Sequence, residues 1–195
     1  PPIPPTLPTP PTPPTPPTSL NPPNKPQTKL FQLPLEDVPT ADQYRCGGFD
    51  LSTEHVHVKG WLAVPTSTRH IHHMSMFFCK DMGPKGRAHM TNGQSWDCHA
   101  DFDVCGGAEQ DSFEMGPGFE NMAGLDKTIT AVAFPGSVLL ALGNDTSRRF
   151  VVIQVHNNAP LSQDHSGFEL LLASNEETAA FNNNPNSNHF FSLPW

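Results

Sequence analysis

Seven stretches rich in Val, Ile, Phe, Leu and Thr, each closed by a turn signal, set the rhythm of the chain. They cover residues 49–58, 60–64, 69–79, 128–134, 137–142, 148–156 and 167–173, with Pro65, Pro135-Gly136 and Gly143-Asn144 as punctuation. Short apolar runs bounded by Gly, Pro and Asn read as strands. Seven of them at this spacing predict an all-β fold, an antiparallel jelly-roll-like β-sandwich over residues 41–174. Ahead of it, residues 27–40 form a connector in which Phe31, Leu33 and Leu35 alternate, a pattern that suits an edge strand. Residues 80–126 read as a long loop-rich excursion. Residues 175–195 read as an Asn-rich tail ending in the apolar segment from Phe190 to Trp195.

Residues 1–26 follow another rule. Thr6, Thr9, Thr12, Thr15 and Thr18 recur at every third position, with Pro10, Pro11, Pro13, Pro14, Pro16 and Pro17 between the later ones. Polyproline II has three residues per turn, so the threonines form one stripe along a stiff rod, and no Gly repeat supports collagen. At ~3.1 Å per residue the arm would span roughly 80 Å. Its Pro-Pro-Thr repeat resembles the hydroxyproline-rich wall glycoproteins of plants and green algae. That resemblance implies O-linked sugars on the five threonines and on hydroxylated forms of the six prolines. A rod already restricted in φ loses little entropy when gripped. A long arm gripping an identical neighbour propagates as a filament unless its rotation closes a ring. The arm therefore predicts a homo-oligomer or filament.

Charge narrows the partners. Nineteen acidic against eleven basic residues give a net charge of −8, which argues against nucleic acid and anionic membranes. No apolar run approaches the ~20 residues of a membrane span. Cys46, Cys79, Cys98 and Cys105 make an even set without a Cys-x-x-Cys pair, which favours two disulfides over a zinc site and leaves three connectivities open. Asn144-Asp145-Thr146 is an N-glycosylation sequon after a Gly turn. Both marks point to a secreted, extracellular chain.

Histidine carries the candidate chemistry. Ten are present, clustered as His55 and His57, then His70, His72 and His73, with His156 closing the most apolar stretch. In a regular strand His72 and His73 point to opposite faces, so a twist or bulge is needed to bring them together. Three neutral imidazoles suit copper or zinc.

His72-His73-Met74 followed by Cys79, with Phe150-Val151-Val152-Ile153-Gln154-Val155-His156 further on, resembles the copper type II, ascorbate-dependent monooxygenases. Asp42-Gln43-Tyr44-Arg45-Cys46 resembles the start of that family's first domain, so the likeness covers about residues 41–160. It implies that His72, His73 and His156 are the ligands of the first copper site, whose proposed role is to store or deliver an electron. It also implies a Cys79–Cys105 disulfide, leaving Cys46 and Cys98 to pair with each other or stay apart. In the family, oxygen activation and hydroxylation belong to a second domain with a His-x-His pair and a Met. The chain ends before such a domain begins, and His55-Val56-His57 precedes the His-His-Met segment, so it reads as a surface strand. No catalytic residue is assigned.

The leading expectation is an extracellular structural glycoprotein, a fibre or cell-wall protomer with this sandwich as bead and the arm as string. The alternatives are a copper-dependent monooxygenase half-domain and a secreted copper- or carbohydrate-binding module.

Overall fold

The computed structural model describes residues 27–98, 103–107, 113–120, 131–136, 138–184 and 188–189. The expected polyproline arm with its glycan positions, and the apolar end at 190–195, lie outside them.

Along the chain come β1 (Thr28–Gln32), β2 (Glu36–Val38), β3 (Gln43–Asp50), β4 (His55–Val64) and β5 (Ile71–Cys79). They are followed by α1 (Pro84–Asn92), β6 (Trp96–Asp97), β7 (Phe113–Glu120), β8 (Ala131–Ala133), β9 (Val138–Gly143) and β10 (Phe150–Asn157). The remainder is β11 (Leu161–Asp164), β12 (Gly167–Leu172), α2 (Asn175–Asn182) and β13 (Asn188–His189). One sheet runs β1-β12-β4-β9-β13, with β8 also on β4; the other runs β6-β3-β10-β5-β7, and β2 pairs with β11 apart from both. All these pairings are antiparallel except that of β13 with β9.

The two large sheets close on one core. Phe31, Val58, Leu140, Leu142, Phe168 and Leu170 from the first meet Met74, Met76, Phe78, Val151, Ile153 and Val155 from the second. The expected antiparallel sandwich is present. A smaller core covers the outer face of the second sheet, where Phe77, Met82, Trp96, Val104, Phe150 and Val152 pack around all four cysteines. Disulfides join Cys46 to Cys98 and Cys79 to Cys105. Strand β10 is consequently buried on both faces along its length, which explains why its sequence runs apolar instead of alternating.

Several expected boundaries shift, each for a local reason. The stretch 49–58 is broken by a turn after Asp50, whose carboxylate accepts the Ser52 N–H at 2.7 Å while Leu51 O accepts Glu54 N–H at 2.9 Å. The stretches on either side of residue 59 are one strand, β4. Gly60 sits inside it because the carbonyl of Val132 comes within 2.4 Å of where a Cβ would stand, a close approach that only Gly accommodates. The edge strand expected from Phe31, Leu33 and Leu35 is β1, paired with β12; Leu33 and Leu35 both lie past its end, the first buried and the second exposed. The sheets thus begin at Thr28, ahead of residue 41.

The excursion 80–126 contains α1, β6 and β7, and the tail opens with α2. Pro84 starts α1 and Gly93, in the left-handed region at φ 62°, ends it. A capping box between Ser174 and Glu177 starts α2.

Buried Arg45 links the sandwich to the β2–β11 pair through ion pairs with Glu36 and the fully buried Asp164. Burial works to raise the Asp164 pKa. The Ser166 hydrogen bond, the Arg45 charge and Thr66 together outweigh it and hold the carboxyl below its usual range. Arg45 follows Tyr44 on β3, so this network lies close in sequence to the bend at residues 40–42.

Candidate metal centre

At one end of the second sheet, next to the last residue of β10, His156 lies directly across from His73 on β5 and from Tyr44 on β3. Phe150 and Val152 face the smaller core, so by strand alternation His156 faces the same outer side. The ladder between β10 and β5 pairs His156 with His73 and then Asn157 with Ile71, passing over His72. That is the bulge the paired histidines require.

The three rings converge. Centroids lie 5.3 Å apart for His72 and His73, 5.1 Å for His72 and His156, and 4.9 Å for His73 and His156. One ligand nitrogen from each ring can be chosen so that all lie within 4.8 Å of one another. The Nδ1 atoms of His72 and His73 are 3.1 Å apart, close to the spacing of two nitrogens bound at ~2.0–2.1 Å to one metal.

Electrostatics favour the ligand state. The His73 pKa is lowered to about 4, first by burial and then by the neighbouring imidazoles of His156 and His72. Its ring is therefore neutral at neutral pH, with one nitrogen lone pair available. His156 is buried; its Nε2 is 2.8 Å from Asp42 Oδ1, and its Nδ1 has no hydrogen-bond partner. A buried polar atom without a partner is costly, and a cation among the rings would supply one. The donor set therefore fits a borderline-soft ion such as copper or zinc.

Tyr44, the chain's single tyrosine, stacks on the His156 ring with centroids 3.9 Å apart and planes 12° from parallel. A polar cavity of about 510 Å³ opens beside it, lined by Asp42, Tyr44, Arg45, Trp96 and Asp97 among others. Neither this cavity nor a larger one of about 690 Å³, between α1 and β1, has any of the three histidines in its lining. Asp42 and Tyr44 entered the sequence reading only as part of a family segment.

The other candidates stand apart from the cluster. His55 and His57 lie on β4 in the opposite sheet with rings 5.0 Å apart, and His55 Nδ1–H donates to Asn144 O at 2.9 Å. His70 is exposed beside Ser67. His89 lies on α1 against Trp96, with centroids 6.1 Å apart. Asn144 is exposed in the turn between β9 and β10, where a sequon is accessible. Among the described residues, no helix is long and apolar enough to cross a membrane.

The family described as copper type II ascorbate-dependent monooxygenase, N-terminal domain, matches residues 31–164, more than half of the chain. No curated protein matches it.

Proposed function

The chain belongs to the copper type II ascorbate-dependent monooxygenase family through its N-terminal domain, and from that premise we propose that it holds one copper ion and serves as an electron-storing centre. The observation that carries this reading is the convergence of His72, His73 and His156, with the Nδ1 of His156 buried and without a hydrogen-bond partner. Copper bound there would supply one-electron chemistry, cycling between its Cu(I) and Cu(II) states. Each protein group has a separate task. His73 stays neutral and keeps a lone pair available. The bulge turns His72 to the same side. Tyr44 holds the plane of His156, and the smaller core with its two disulfides keeps water from the sheet beneath the rings.

The test is spectroscopic. The full chain, loaded with one equivalent of Cu(II), should show an EPR signal with imidazole nitrogen splitting that ascorbate abolishes. A chain that binds no copper, or whose bound Cu(II) ascorbate does not reduce, contradicts the reading.

The Pro-Pro-Thr repeat favours a second, compatible reading. We propose that the domain is the bead of a secreted wall or fibre glycoprotein whose arm, residues 1–26, carries O-linked sugars and grips neighbouring copies. Two disulfides suit an oxidising compartment, and residues 1–26 precede in sequence β1, which lies at a sheet edge. Electron microscopy of the full chain and of residues 27–195 decides it: filaments from the former alone support the reading, and filaments from both, or from neither, contradict it.

A further inference from the structure

We propose that Asp42 is the positioning residue of the metal centre, fixing His156 in the tautomer that leaves Nδ1 bare as the ligand atom joining His72 and His73. This rests on the reading of those histidines as ligands. A neutral imidazole carries one N–H, and an ionised carboxylate only accepts. The 2.8 Å contact between His156 Nε2 and Asp42 Oδ1 therefore puts the ring proton on Nε2. The lone pair falls to Nδ1, the buried atom without a partner. Carboxylates that orient a ligating imidazole through its far N–H are the usual support of histidine metal sites.

Asp42 is held for the purpose. It occupies the left-handed region at φ 59°, uncommon for a residue with a side chain. Its N–H donates to Asn157 O at 2.8 Å, and the Asn157 side chain donates to Thr40 O at 2.8 Å. Asn157 follows His156 directly, so one strand end supplies both the ligand and the anchor of the residue that orients it. The Asp42 side chain is 87% exposed. Ion pairs at such positions contribute little to folding, so the contact with His156 adds little to stability.

The experiment uses the full chain carrying Asp42→Asn and, separately, Asp42→Glu. Nitrogen-15 NMR of the metal-free protein reads the His156 tautomer, and competition with a copper chelator reads affinity. The wild type should carry its proton on Nε2. Asp42→Asn should move population to the Nδ1–H form, because an amide N–H can donate to Nε2. It should also weaken copper binding ~10–100-fold at unchanged melting temperature. Asp42→Glu should recover part of both. A wild-type His156 protonated on Nδ1, or an Asp42→Asn chain that binds copper as tightly as the wild type, overturns the proposal. If the wild type binds no copper, the proposed function fails, and the tautomer measurement still decides the role of Asp42.

Discussion

Ile71 and Met74 both face the main core although they are three residues apart on one strand. Regular alternation forbids that, since residues an odd number apart face opposite sides. The ladder absorbs the difference by passing over His72, so two adjacent histidines fit on the outer side without displacing either core residue. Deleting His72 should restore plain alternation. Circular dichroism should show a folded sandwich. Copper affinity should fall by more than the ~10–100-fold that loss of a mere supporting partner costs. A deletion chain that binds copper normally would show that the bulge is incidental.

The acid response of the metal-free protein should carry the signature of His73. In the folded chain its pKa is lowered to about 4, burial being the main cause, whereas an unfolded imidazole protonates near ~6.5. Between those values the unfolded state binds the extra proton. This contribution to stability is therefore complete above about 6.5, declines as pH falls toward 4, and stays constant below that. Thermal melts of the wild type and His73→Gln across this window should differ in slope, with the variant flatter. Equal slopes would contradict the assignment.

The sandwich was legible because its strands are bounded by Pro, Gly and Asn and because β10 is too apolar for a one-sided strand. Cys79, Cys105 and the three histidines came through likeness to a family, and the structure brings those residues together. Other features were punctuated in the sequence yet read as loop. Pro84 and Gly93 bracket α1, and Ser174 with Glu177 forms the box that opens α2. In each case a composition-based view of the segment hid a two-residue signal. Asp42 was harder to see. Its role depends on Asn157, more than a hundred positions away, and on a left-handed backbone that no local pattern announces.

The disulfide between Cys46 and Cys98 closes a separation of 52 residues and ties β3 to the segment after β6. Replacing both cysteines by alanine should cost about 2–4 kcal/mol in denaturant unfolding, mostly by freeing the unfolded chain. Cys46 lies two positions from Tyr44 on the same face of β3, so copper affinity should fall as well. A double variant as stable as the wild type would show that the smaller core holds this segment by packing alone.

Whether His72, His73 and His156 together hold one copper ion is decided by metal content. The full chain should be loaded with copper, passed through a desalting column and assayed for copper per chain, alongside single alanine variants of the three histidines and the triple variant. One copper per wild-type chain is expected, with strong loss in every single variant and none in the triple variant. Wild-type protein that emerges without copper, or a triple variant that retains it, would contradict the account.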